Sequence, residues 1–119
     1  MQEFRILNMD STYGDLNYYD PRLDPHNFEV WNEWEVLITF TIGYDQGGHL
    51  YDLYVCSKEW VDKYMPMWGK FLLIVPDWDI KEIIHQVNLI IKECTADTPE
   101  KTFKNLSRYM FWEFDNYQP

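Results

Sequence analysis

Between Glu33 and Ile42 the chain alternates: Trp34, Val36, Ile38, Phe40 and Ile42 occupy one phase, and Glu33, Glu35, Leu37, Thr39 and Thr41 the other. Successive side chains of a strand point to opposite faces, so this period of two predicts a strand with one buried face and places Trp34 in phase with the core. A second alternating run, Leu50 to Cys56, follows a turn at Gly43-Tyr44-Asp45-Gln46-Gly47-Gly48. Two such runs joined by a glycine-containing loop predict an antiparallel hairpin.

The remaining elements are read around that hairpin. Phe4 to Met9 is short and apolar-rich and suits a strand. Residues 10–28 are polar, with Asp20-Pro21 and Asp24-Pro25 turns, and read as a long loop whose Tyr13, Tyr18, Tyr19 and Phe28 pack onto the body. Ser57 can cap a short helix over Lys58 to Met65, with Trp60, Val61 and Tyr64 on one side and Pro66 and Gly69 ending it. The unbroken apolar run Phe71 to Val75, bounded by Gly69 and Pro76, predicts a strand buried on both faces. Asp79 and Glu82 have capping-box spacing, and Ile80, Ile83, Ile84, Val87, Ile90, Ile91 and Cys94 follow at intervals of three and four. That pattern is a helix with one apolar stripe. Thr98, Pro99 and Glu100 announce another helix with Phe103, Leu106 and Met110 as its stripe, and an aromatic tail from Phe111 to Tyr117 should pack back on the body. The order β-β-β-α-β-α-α predicts an α+β fold: a mostly antiparallel sheet of about four strands with three helices mainly on one face, in a single domain over 1–119.

Composition narrows the function classes. With 46% hydrophobic and 18% aromatic residues in 119, the chain can build a core and is not of the disordered type. Ten Lys+Arg against twenty Asp+Glu give a formal charge of −10. Phosphate backbones and anionic membrane surfaces repel such a chain, whereas a basic partner is steered toward it. The plain alternative is that the charge serves solubility. The N-terminal Met1-Gln2-Glu3-Phe4-Arg5-Ile6 has no signal-peptide character and no run approaches a membrane span. Cys56 and Cys94 lie far apart inside apolar segments, as reduced, buried thiols do. A cytoplasmic protein is expected.

Chemistry-bearing constellations are few. His26, His49 and His85 are scattered, with no Cys or carboxylate at ligand spacing, so no metal and no cofactor are expected. Cys56 precedes a predicted helix N-terminus and is the one nucleophile candidate, against its simpler role as a small buried residue closing the sheet. Glu33 and Glu35 project from one strand face roughly 7 Å apart, a spacing a small acid–base hydrolase could use. Nothing in the sequence supplies a desolvated cleft around them, and a solvated face explains them as well. Gly47-Gly48 lacks the following helix and lysine of a phosphate loop. No catalytic residue is assigned.

The placement of charge is more informative than its total. Residues 1–55 hold ten acids against Arg5 and Arg22, a net −8, whereas residues 56–119 hold ten acids against eight bases, a net −2. Solubility alone does not call for such asymmetry, which points to a binding surface in the first half. Tyr18, Tyr19, Trp31 and Trp34 are interleaved with those acids, as interface anchors are, although the phase of Trp34 favours the core.

Several strings, in order over nearly the whole chain, are familiar together. They are Asp24-Pro25-His26-Asn27-Phe28, Ile42-Gly43, Val55-Cys56-Ser57-Lys58-Glu59-Trp60, Leu73-Ile74-Val75 leading into Trp78-Asp79-Ile80, and Ser107-Arg108-Tyr109-Met110-Phe111-Trp112-Glu113-Phe114. With them the chain resembles the immunity protein 8 family of bacterial polymorphic toxin and contact-dependent growth inhibition systems. The resemblance implies a non-enzymatic antitoxin that binds the C-terminal toxin domain of a neighbouring secreted effector inside the cell that makes it. It implies structural roles for the motif residues Cys56, Trp60, Trp112 and Phe114. Toxin contacts in such systems lie on surfaces that differ between members, so the expected contact surface comes from charge instead. It comprises Asp10, Asp15, Asp20, Asp24, Glu29, Glu33 and Glu35, with Tyr18 and Trp31 among them. A basic toxin, such as a nuclease, suits that surface. The alternatives are the hydrolase built on Glu33 and Glu35 and a general acidic protein-interaction domain.

Overall fold

The computed structural model describes residues 3–11, 34–44, 47–64 and 71–114. Its elements run β1 (Arg5–Asp10), β2 (Glu35–Tyr44), β3 (Gly47–Ser57), α1 (Lys58–Tyr64), β4 (Leu72–Val75), α2 (Ile80–Cys94), α3 (Pro99–Leu106) and β5 (Phe111–Trp112). This is an α+β fold with the strand-rich half first, and the expected order holds with one short strand added at the end.

The β2–β3 hairpin organises the sheet. Its register pairs Val36 with Val55, Ile38 with Leu53 and Phe40 with Tyr51, so the apolar phases of both strands share one face. Those six side chains are all buried, as are Trp34 and Ile42. Burying an Ile or Phe contributes about 1.5–3 kcal/mol relative to exposure. A one-residue slip would exchange Val36, Ile38 and Phe40 for neighbours of the other phase, which strongly disfavours any other register. The ladder continues to Tyr44 opposite Gly47. The turn is therefore shorter than the six residues expected: only positions 45 and 46 separate the strands. Gly43 faces Gly48, and a Cβ on Gly43 would run into the Gly47 carbonyl oxygen, so this close pairing needs glycine.

β1 lies antiparallel to β2 with a register shift between Ile6 and Asn8. The extra residue lets both Ile6 (opposite Ile42) and Met9 (opposite Phe40) pack against the core despite being three apart. The second edge of β3 is divided between two strands. Tyr54 to Ser57 pair with β4 in parallel, and Tyr51 and Asp52 pair with β5 antiparallel. The sheet is thus mixed, with three antiparallel pairings and one parallel. The strand at Phe71–Val75 was expected to be buried on both faces, and here the structure differs: Ile74 is 50% exposed while Val75 is buried. Only Leu73 and Val75 are in phase with the core residues of β3. Ile74 lies opposite Cys56 on the other face of what is an edge strand among the described residues.

The helices follow their capping residues. The Ser57 hydroxyl accepts from the Trp60 N–H (3.2 Å) and starts α1. The Asp79 carboxylate accepts from the amides of Lys81 (3.0 Å) and Glu82 (3.4 Å) at the start of α2. Glu82 turns down the helix to take a hydrogen bond from Gln86 (2.9 Å). Thr98 accepts from the Lys101 N–H (3.3 Å), with Pro99 at the first helical position of α3. Ile83, Val87, Ile91 and Cys94 of α2 and Phe103 and Leu106 of α3 join the buried face of the hairpin in one core, closed by Met110 just beyond α3. Trp34 meets Trp78 edge-on at 5.5 Å inside it. Polar groups that the core encloses are satisfied. Thr102 Oγ1 accepts from the Ala96 N–H (2.9 Å) and donates to the Thr98 carbonyl (3.2 Å), and Asn105 Nδ2 donates to the Cys94 carbonyl (3.0 Å) at the end of α2.

Candidate partner-binding face

With α2 and α3 on the inner face, the opposite phase of each strand forms an outer face. Its rows follow from the registers. Asp10 of β1 lies opposite Thr39 of β2, Thr39 opposite Asp52 of β3, and Asp52 opposite Phe111 of β5. Thr39 Oγ1 donates to Asp52 Oδ1 at 2.7 Å, which fixes that carboxylate on the sheet. Neighbouring strands stand roughly 4.8 Å apart, so Asp10 and Asp52 are about 10 Å from each other with Thr39 between them. Glu35 enters the same face at the start of β2, four residues or roughly 13 Å along the strand from Thr39. Asp10 is exposed, and Glu35 and Asp52 are half-buried. Between these acids the face carries the row of Leu37 opposite Tyr54 and Leu72, and the row of Glu35 continues through the buried Cys56 to the exposed Ile74 at the edge. Arg5, opposite Gly43 at the far end, is the one Lys or Arg on the five strands.

The structure thus brings two of the charge-selected residues, Asp10 and Glu35, onto one face. Asp15, Tyr18, Asp20, Asp24, Glu29, Trp31 and Glu33 lie outside the described residues, and with Glu33 so does the paired-carboxylate arrangement. Trp34 is core, 1% exposed. Asp52 is the member of this face that charge counting did not select. The signal for it was present: Asp52 and Tyr54 stand out of phase with Tyr51, Leu53 and Val55.

Of the motif residues only Cys56 stands in the outer-face phase, opposite Glu35, and it is covered there; Trp60, Trp112 and Phe114 lie elsewhere. Cys56 is fully buried, with its Sγ 3.9 Å from the Leu73 carbonyl oxygen; Cys94 is buried too, and neither forms a disulfide. Burial, aided by Glu93, pushes the Cys94 thiol pKa up, away from the thiolate form. Trp60 is half-buried on α1. Trp112 is half-buried on β5 and donates its indole N–H to His49 Nδ1 (3.1 Å). Phe114 is 43% exposed and stands edge-on to His49 (5.0 Å) and Trp112 (5.8 Å). His85 is exposed on α2. His26 falls outside the described residues.

Other places where ligand chemistry could sit are sparse. No group of three His, Cys, Asp or Glu among the described residues could hold a metal ion. A cavity of about 150 Å³ opens where β4 meets α2, and among its described lining Gln86 and Tyr109 bring the polar groups to an otherwise apolar wall. It contains no described carboxylate, histidine or lysine, so it offers no acid–base pair. No described helix is long and apolar enough to cross a membrane.

No curated protein and no solved structure matches the chain. The family model of immunity protein 8 matches residues 3–117, nearly the whole length; the chain belongs to that family, which implies an immunity protein that binds a cognate toxin.

Proposed function

We propose that this immunity protein neutralises the C-terminal toxin domain of a cognate secreted effector by docking it on the outer face of the sheet. It does so in the cytoplasm of the bacterial cell that makes both, and it occludes a basic surface of the toxin such as a nuclease active site. The observation that carries the reading is the placement of Asp10, Asp52 and Glu35 on one face whose only strand-borne cation, Arg5, stands at the opposite end. Negative potential on such a face steers a basic partner and sets its orientation. Leu37 and Tyr54 between the acidic rows, with Ile74 at the β4 edge beyond Glu35 and Cys56, supply the apolar area that gives such contacts their lifetime. The inhibition is by binding, with no catalytic step assigned to the chain.

The experiment is co-expression with the C-terminal domain of the secreted protein encoded beside this gene, scored for survival and co-purification. Kinetics follow on the purified pair. Asp10→Asn, Glu35→Gln and Asp52→Asn together remove three charges while keeping side-chain size and the acceptor that Thr39 uses. The triple variant is expected to associate roughly tenfold more slowly at low salt, with the difference closing as ionic strength rises. Survival without any change in the salt dependence of association would retain the immunity role and remove the acidic face from it.

A further inference from the structure

The rim of the core opposite the β1 end of the outer face contains a histidine that binding does not use. His49 belongs to β3 and lies opposite Ile42, so its ring points to the inner face. There it stacks on Phe103 of α3 (ring centroids 3.7 Å, 16° between planes). Trp112 lies parallel to it at 5.9 Å, and Phe114 meets it edge-on at 5.0 Å. The indole N–H of Trp112 donates to Nδ1 of His49 at 3.1 Å. An indole nitrogen can only donate, so Nδ1 must be unprotonated and the ring is neutral with its proton on Nε2. β5 is two residues long. Beyond its two ladder positions it is held at this end by the Glu113 N–H donating to the Leu50 carbonyl (3.0 Å), by the Glu113 carboxylate accepting from the Leu50 N–H, and by the Trp112–His49 bond.

We propose that His49 and Trp112 form a pH-operated latch: neutral His49 holds β5 on β3, and protonation of the ring loosens the 111–114 segment from the sheet. Two effects oppose the protonated form in place. It would turn an acceptor into a second N–H aimed at the indole N–H, and it would put a charge on a ring that Phe103, Trp112 and Phe114 shield from water. The charged and titratable groups around the ring are few. Glu113, beyond β5, favours the imidazolium. Tyr51 of β3, whose hydroxyl donates to the Phe103 carbonyl (2.8 Å), stays a neutral phenol, and Tyr44 of β2 lies against Phe103. α3 presents Phe103, and its neighbours Glu100 and Lys104 are exposed. Desolvation outweighs the Glu113 field, and the His49 pKa lies below its ordinary value of 6.5. A base whose folded-state pKa is depressed contributes full stability above 6.5 and loses it as pH falls through the folded value. Mild acid is therefore the releasing condition. The latch stands apart from the toxin-docking reading and is testable without any toxin.

The test is NMR on the full chain. Long-range ¹H–¹⁵N correlation at pH 7.5 reports the tautomer directly, and the expected result is protonated Nε2 with bare Nδ1. A proton on Nδ1 at that pH overturns the latch. On titration from pH 8 to 5 the Trp112 indole N–H resonance, assigned with Trp112→Phe, is expected to move with a midpoint below 6.5. His49→Asn keeps an acceptor near the Nδ1 position and cannot be protonated. In that variant the indole resonance should stay still, and the Glu113 amide should exchange at equal rates to the native chain at pH 7.5. At pH 5 the native amide should exchange faster, by about tenfold for each pH unit by which the latch holds the ring's titration down. An indole resonance that ignores pH, or that moves alike in His49→Asn, rules the latch out.

Discussion

Ser57 offers the sharpest test of how the fold is held. Its side chain is 1% exposed and its hydroxyl accepts two backbone N–H groups, from Trp60 at 3.2 Å and from Trp34 at 3.2 Å. Its own N–H donates to the Trp34 carbonyl (3.0 Å). One side chain therefore caps α1 and ties the residue before β2 to the end of β3. Ser57→Ala removes the cap, which costs about 1 kcal/mol. It also leaves the Trp34 N–H buried without an acceptor, at about 1–3 kcal/mol. The expected loss is about 2–4 kcal/mol, a large fraction of the roughly 5–15 kcal/mol of a domain. Urea unfolding followed by tryptophan fluorescence should show the midpoint falling by about 1–2 M with the m-value unchanged. Ser107→Ala is the control. Its hydroxyl donates to the Lys104 carbonyl at an exposed helix end, and its loss should stay within about 0.5 kcal/mol. A Ser57→Ala loss no larger than that of the control would refute the double-acceptor reasoning.

Three further outcomes are expected. Asp79→Ala removes the acceptor for two amides of α2 and should lower stability by about 0.5–2 kcal/mol in the same urea assay, with Asp79→Ser recovering most of it. Gly43→Ala drives a methyl group into the Gly47 backbone; a loss of about 1–3 kcal/mol and shifted amide resonances on both sides of the turn are expected, and an unperturbed spectrum would contradict the close pairing. Tyr51 is buried and donates to the Phe103 carbonyl, and burial, with smaller contributions from Cys94 and Glu113, raises its pKa well above 10.0. An acid whose folded-state pKa is raised contributes full stability below pH 10 and loses it as pH climbs above, so alkaline unfolding should be blunted in Tyr51→Phe even though that variant is less stable at neutral pH.

Much of the architecture was legible because it is local. The alternation from Trp34 to Ile42 reports directly on burial, and every residue of the apolar phase is buried. Asp79 and Thr98 cap the helices they precede, since a short oxygen-bearing side chain next to an apolar stripe satisfies amides within three residues of itself. The site was legible only in part. Charge counting selected Asp10 and Glu35, which share the outer face, and passed over Asp52, whose membership depends on lying opposite Thr39 in the β2–β3 register. The apolar run Phe71–Val75 misled for a related reason. An apolar strand looks the same whether it is central or at an edge, and its exposure depends on what lies beyond it.

What the sequence alone determined is the period-of-two hairpin, the caps and stripes of α2 and α3, and a first half with a net −8. Each rests on residues that interact over a few positions or on a sum over the chain. Only the tertiary structure decided that β4 runs parallel beside β3, that Phe111 and Trp112 form a strand, and that His49 meets Trp112 across 63 residues of chain. Those pairings join segments whose local preferences do not name each other. They are chosen by which edge remains free once the hairpin has formed and by which rings then fit together over its core. The alternation from Trp34 to Ile42 thus determined which side chains of β2 face inward, and the rest of the molecule decided what covers that face and what the outer face would be.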